Sequence, residues 1–175
     1  MSGAMAVEIH VSSEQAELLL KRLMLSLSVI GLSAYMEGVD DFVKGRIRQR
    51  FAQEGDDVSG QWMPLKEATV AMRESAGYPG EHPINVRTGE MYNLLTSGPA
   101  RVTATSAGAT YTHPASMTAL NRDKIMTAQA GSDSPPTLPR PVLGLNERDL
   151  AALLYMFGMH LNHFPAASAF GSVMG

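Results

Sequence analysis

The sequence predicts an α+β fold: an N-terminal strand and helical hairpin, a central β-hairpin, and a C-terminal strand and helix, forming one compact domain. Three observations lead there. Two stretches near the start carry apolar residues at steps of three and four, a β-branched segment at 101–113 turns around small residues, and an Asn-led apolar stripe ends the chain. With 175 residues, 45% hydrophobic and 18% charged, a single domain over 1–175 has enough chain to bury about 70% of its unfolded surface.

The first strand is expected at 7–11, where Val7, Ile9 and Val11 alternate with Glu8 and His10. Ser12 and Gln15 have capping-box form, and Ala16, Leu19, Leu20, Leu23 and Leu27 follow at helical spacing, predicting a helix over 13–30. Gly31 is the expected left-handed cap. A second helix from Ser33 carries the stripe Met36, Val39, Val43, Ile47 and Phe51, and the tight turn between the two implies antiparallel packing.

The Gly- and Asp-rich tract 53–60 reads as a loop, 64–74 as a short helix and 77–83 as loop again. Thr88 is placed to cap a helix over 88–96 with Met91, Leu94 and Leu95 inward. In the hairpin at 101–113, Ser106-Ala107-Gly108 forms the turn, and a helix is predicted over 116–130. Segment 131–141 holds four of the ten prolines and predicts a loop or extended arm without regular structure. Residues 142–145 read as strand, and Asn146 caps a last helix with the stripe Leu150, Leu153, Leu154, Phe157 and Leu161. The small, Gly-rich tail 165–175 is expected to fray in an isolated monomer.

Composition narrows the chemistry. The chain has no cysteine, which excludes disulfides, thiolate metal sites and a cysteine nucleophile. A net charge of -3 gives no overall attraction for nucleic acid. The start lacks the basic and apolar regions of a signal peptide, and the longest apolar window, 18–32, is broken by Lys21 and Arg22, so a protein that is soluble when made is expected.

Each candidate site has a plainer alternative. His160 and His163 lie three apart on the last predicted helix, a spacing that suits one metal, but further ligands of a structural site are missing and a helix-end pair is the simpler reading. A metal-dependent hydrolase built on them and an Asp stays open. Asp56 and Asp57 read as a solvated turn, since the ligand ladder of a calcium loop is absent. No nucleophile elbow, HExxH helix, dinucleotide turn or P-loop occurs. Lys44, Arg46, Arg48 and Arg50 read first as a solvated helix end and second as a contact for DNA or an acidic partner, as in a small DNA-binding protein. Trp62, the sole tryptophan, is either a core anchor or an interface hot spot.

The order of motifs along the chain adds to this. Gly60, Trp62, Leu65 and Thr69 come first, then Thr88, Gly89 and Met91, then Gln129 and Gly131, and finally Arg140, Pro141, Leu143, Gly144 and Leu145 before the last helix. This arrangement resembles the phage virion morphogenesis or tail completion family, the Mu G-like and P2 S-like neck or tail-end proteins, over nearly the whole chain. Around 125–129 the residues differ from the family's usual Tyr-Ala and His-Gln.

The resemblance implies a structural protein of the virion, not an enzyme and without cofactors, that completes the tail end or joins tail to head as part of a neck ring. It implies a cyclic homo-oligomer, expected to be a hexamer, in contact with other neck, connector or tail proteins. Duplex DNA would pass through the lumen without specific binding, and no membrane is involved. Synthesis would be in the bacterial host cytoplasm. The motif residues would serve packing and interfaces. The alternative is a transient morphogenesis factor for head or tail assembly, absent from the mature virion.

Overall fold

A computed structural model of the protein describes residues 13–105, 107–133 and 136–163. The strand expected at 7–11, the capping residue Ser12 and the tail at 165–175 lie outside them. Six helices and three small antiparallel ladders make up the described fold, which is α+β as predicted.

Helix α1 (Ser13–Ser26) and helix α2 (Val29–Gln53) meet at a bend of 62°. They do not fold back on one another, so the predicted antiparallel helical hairpin is corrected to a kinked pair. The reason lies at Ser28, whose Oγ accepts from the Gly31 amide at 3.2 Å and caps α2 three residues before the point where Gly31 would have ended α1. Gly31 is instead buried inside α2, where a Cβ would run into the carbonyls of Leu25 and Ser26. The glycine is needed for close approach at the kink.

α2 is the central element. Its far end closes on Glu54 in the left-handed region (φ 51°), whose N–H donates to the Arg50 and Phe51 carbonyls. The tract expected as a loop then forms a two-residue hairpin, β1 (Gly55–Asp56) with β2 (Gly60–Gln61). Helix α3 (Glu67–Ser75) follows, then α4 (Glu90–Ser97). Gly89, with φ 75°, is the N-cap residue of α4, while Thr88 Oγ1 accepts only a long 3.4 Å bond from the Glu90 amide. The conformation that opens α4 is one that a Cβ disfavours, which explains Thr-Gly at this point.

The hairpin of β3 (Arg101–Thr105) and β4 (Gly108–Thr112) is found where β-branched residues placed it, with Val102 opposite Tyr111 and Ala104 opposite Ala109. These four half-buried residues alternate with exposed ones, and the hairpin lies against α2. Tyr111 Oη donates to Asp40 of α2 at 2.8 Å. Burial, followed by that hydrogen bond, pushes the Tyr111 phenol up.

Helix α5 (Ala119–Ala130) starts on Thr118, whose side chain accepts from the Asn121 amide. The proline-rich segment, expected to lack regular structure, carries a second two-residue hairpin, β5 (Ser132–Asp133) with β6 (Pro136–Thr137). Residues 142–145 belong to no strand, which corrects the C-terminal strand. Helix α6 (Glu147–His163) is capped as predicted: Asn146 Oδ1 accepts from the Asp149 amide at 2.8 Å, and Asp149 returns the bond to the Asn146 amide at 3.2 Å.

The main core gathers Ile47 and Phe51 of α2, Trp62, Ile84, Met91 and Leu95 of α4, Ile125 and Ala128 of α5, and Val142. Phe51 meets Trp62 and Tyr92 edge-on, with ring centroids 5.4 and 5.2 Å apart. The Trp62 indole donates to the Pro141 carbonyl at 3.1 Å. Truncating Trp62 therefore removes both packing and an anchor between distant segments. Trp62→Ala is expected to cost about 3–5 kcal/mol, measured by urea denaturation against wild type, and a loss below 1 kcal/mol would contradict this core.

Candidate functional site

Arg50 has no exposed surface. Its Nε donates to Asp56 Oδ2 at 2.7 Å, Nη1 to the Val142 carbonyl at 3.0 Å and Nη2 to the Gly144 carbonyl at 3.0 Å. Asp56 also accepts from the amides of Val58 and Ser59 at 2.9 and 2.8 Å. Burial works to raise the Asp56 pKa, but the Ser59 amide and Arg50 outweigh it and hold the carboxyl below its ordinary 3.8.

Arg46 extends the same seam, with Nη2 at 2.9 Å from Asp57 Oδ1 and Nε at 2.7 Å from Asp149 Oδ1. Asn146 Nδ2 donates to Asp57 at 2.6 Å, so α2, the β1–β2 hairpin and the start of α6 are joined by charge. Lys44 pairs with Asp40 at 2.6 Å. Of the four basic residues proposed for DNA or an acidic partner, three are engaged with acids of this same chain, and Arg48 alone is exposed. The solvated helix end and the solvated Asp56 turn are both corrected, because ion pairing makes burial of this face tolerable.

The histidine pair does not converge either. His160 Nε2 lies 3.2 Å from the Ser26 carbonyl, while His163 Nδ1 lies 3.0 Å from the Met159 carbonyl. Among the described residues no three His, Asp or Glu side chains are grouped to hold a metal.

The motif residues do gather. A cleft of about 440 Å³ opens between α3, the 84–89 turn, α5 and residues 138–140, and Leu65, Thr69, Thr88, Gly89, Met91 and Arg140 line it. Behind it, Gln129 serves in place of a missing strand: its Oε1 accepts from the Val142 and Leu143 amides at 2.6 and 2.8 Å, and its Nε2 donates to the Leu143 carbonyl at 3.1 Å. Gly131 closes α5, Pro141 receives Trp62, and Gly144 receives Arg50. Gly60 pairs with Asp56 in the first hairpin. Leu145 is exposed.

Sequence reasoning did not single out Arg73, Asn85, Leu120 or Leu138, which share the cleft. Arg73 had a signal: it follows Thr69 by four and Val70 by three, on the face of α3 that turns inward. A cation on an inward face is the pattern to look for.

A second feature lies at the other end of α2. From Leu150 to Met159, α6 carries no charged side chain. Asp149 is its only buried residue, and Leu150, Leu154, Tyr155 and Met159 are exposed, Leu154 by 72% and Tyr155 by 70%. The predicted stripe thus splits: Phe157 packs on Tyr35 of α2 and Leu153 and Leu161 are half-buried, while Leu150 and Leu154 are exposed. The neighbouring α1 and the kink expose Leu19, Leu20, Met24, Leu27 and Ile30. No single helix among the described residues is long and apolar enough to cross a membrane.

Two predictions follow from the charged seam and its neighbour. Arg50→Ala strands Asp56 and two carbonyls and should cost about 3–5 kcal/mol, whereas exposed Arg48→Ala should stay within about 0.5 kcal/mol; equal losses by denaturant titration would refute the difference. Beside the seam, Glu54 accepts from the Ile84 amide at 2.8 Å and meets His82 Nδ1 at 2.7 Å. Burial raises the Glu54 pKa, but His82 and the Ile84 amide bring it below 4.5, while Glu54 lifts His82 above 6.5. The Glu54 contribution is present above 4.5 and lost as pH falls through its lowered folded value; the His82 contribution is present below 6.5 and lost as pH rises through its raised one. The melting-temperature gap between wild type and Glu54→Gln should be widest between pH 4.5 and 6.5 and narrow on both sides; a gap independent of pH would refute the pairing. No family model, curated protein or solved structure matches this chain.

Proposed function

We propose that the chain is a structural protein of a tailed-phage virion that completes the tail end or joins tail to head as part of a neck ring. The observation that supports an assembly role is the uncovered apolar surface of α1 and α6. A helix that is apolar all round belongs inside something, and α6 is apolar all round over 150–159. Taken together, the exposed leucines, methionines, Ile30 and Tyr155 on the α6 face and on the α1 and kink face offer on the order of 1,000 Å², toward the roughly 1,600 Å² that the two sides of a standard interface bury in total.

The partner in this reading is a second copy. The α6 face of one subunit seats on the α1 and kink face of the next, a heterologous contact that closes into a ring when the rotation permits. The order of motifs supplies the phage context and the expected hexamer. A net charge of -3 suits a lumen through which a duplex slides without sticking.

Two measurements test the reading separately. Light scattering on the purified chain should give a multiple of the monomer mass, reduced to the monomer by Leu154→Glu or Met24→Glu with helix content unchanged; a monomeric wild type rejects the self-contact. Electron microscopy of lysates from a phage lacking this gene should show filled heads and tails that fail to join, or tails with an unfinished end. Normal infectious particles would reject the virion role.

A further inference from the structure

The cleft framed by the motif residues holds more positive charge than the chain neutralises. Arg73 is 3% exposed and Arg140 8% exposed, and both line the cleft. Arg73 Nη2 donates to the carbonyls of Pro83 and Val86 at 3.2 and 3.3 Å; Arg140 Nε and Nη2 donate to those of Met63 and Pro64 at 2.8 and 3.0 Å. Among the described residues neither guanidinium has a carboxylate within 4.0 Å. Arg73 Nε is buried without any partner. The contrast with Arg50, whose burial is matched by Asp56 at 2.7 Å, is direct.

Burying an unpaired cation costs several kcal/mol, and carbonyl dipoles offset only part of it. Burial accordingly pushes the Arg140 pKa down. Nearby acids do not supply the missing charge. Glu54 feels Arg73 electrostatically, but its oxygens are taken by His82 and Ile84. Glu90 is held by Lys124 and Asn121. Asp123 lies at the exposed rim.

Apolar side chains share the walls around the two cations with polar ones: Leu65 and Met91 lie within, and Met72, Leu120 and Leu138 at the exposed edge, where Arg87 and Lys124 also line the cleft. We infer that this cleft is a docking site for an acidic peptide segment of a partner protein, with one carboxylate received by Arg73 and Arg140 and flanking apolar side chains laid on Leu120 and Leu138. A small free anion would use the cations and leave that exposed apolar rim uncovered, whereas an apolar-acidic-apolar peptide matches both. The site lies apart from the α1 and α6 faces, so it does not depend on the ring.

The test uses two synthetic probes, Ac-Leu-Asp-Leu-NH2 and its neutral isostere Ac-Leu-Asn-Leu-NH2, titrated into the isotopically labelled full chain. NMR follows the Arg73 Nε–H and the Thr88 and Gly89 amides. The Asp peptide should shift these signals saturably, and the Asn peptide should bind at least about tenfold more weakly through loss of the charge-assisted contact. Leu120→Glu, on the exposed rim, should weaken the Asp peptide by a similar factor while leaving the melting temperature unchanged. Equal binding of the two peptides, shifts confined to other surfaces, or indifference to Leu120→Glu would each overturn the proposal. Full displacement of the Asp peptide by an equal concentration of sodium acetate would reduce the site to a small-anion pocket and overturn its peptide character.

Discussion

Everything near the motif residues depends on one buried guanidinium. Arg50 reaches from the last turn of α2 to Asp56 in the first hairpin and to the carbonyls of Val142 and Gly144, some ninety positions away. Residues 142–145 have no strand beside them, so their backbone groups need side-chain partners, and Arg50 and Gln129 provide them. With that segment fixed, Pro141 can receive the Trp62 indole and Arg140 can reach the carbonyls of Met63 and Pro64. The cleft wall is therefore set by polar contacts between loops, while the apolar core behind it supplies the bulk of the burial. Neither alone fixes the geometry: apolar packing is non-directional, and hydrogen bonds between loops are weak when exposed to water.

The elements that were legible in the sequence are those whose signal is local. The β3–β4 hairpin showed in its β-branched alternation, and the Asn146 cap showed in the residue that begins α6. The turn between α1 and α2 was misplaced because Gly31 carries two meanings, a left-handed cap or a close approach, and only the Ser28 side chain decides between them. Arg46 and Arg50 were misread because a charge on a helix is ordinarily solvated. Their acids stand at 56, 57 and 149, and no period within α2 points to them. Gln129 was marked by its place in a motif, but that its amide replaces a strand partner is a fact of tertiary contact. Arg73, central to the cleft, needed the inward face of α3 to be known first.

The two ends of α2 are finished differently. At the Arg50 end, charges are paired and the core is closed over by Trp62 and Val142, both nearly without exposure. At the kinked end, α1 and α6 touch each other and α2 but leave leucines and methionines facing outward. Small polar anchors hold this end: Tyr35 Oη donates to the Leu153 carbonyl at 3.0 Å and stacks edge-on with Phe157 at 5.0 Å. Such contacts orient α6 without covering it. In the proposed ring, the kinked half would complete its burial against a neighbour, the pattern of interfaces that resemble a core cut in two.

That division also separates the kinds of specificity the molecule can express. Apolar faces such as those of α1 and α6 supply association energy in proportion to area but discriminate poorly among apolar partners. The Arg73–Arg140 cleft works the other way: it buries little surface, yet a partner without a carboxylate leaves two nearly buried cations unmatched. Discrimination by an unsatisfied buried charge is steep, because the wrong partner must carry the desolvation cost that the right one removes. The proposed self-association through the helices and the proposed selection of a different protein through the cleft thus rest on separate physics in separate halves of the fold. Changes to one leave the other intact, because the cleft residues and the exposed helix faces share no side chain.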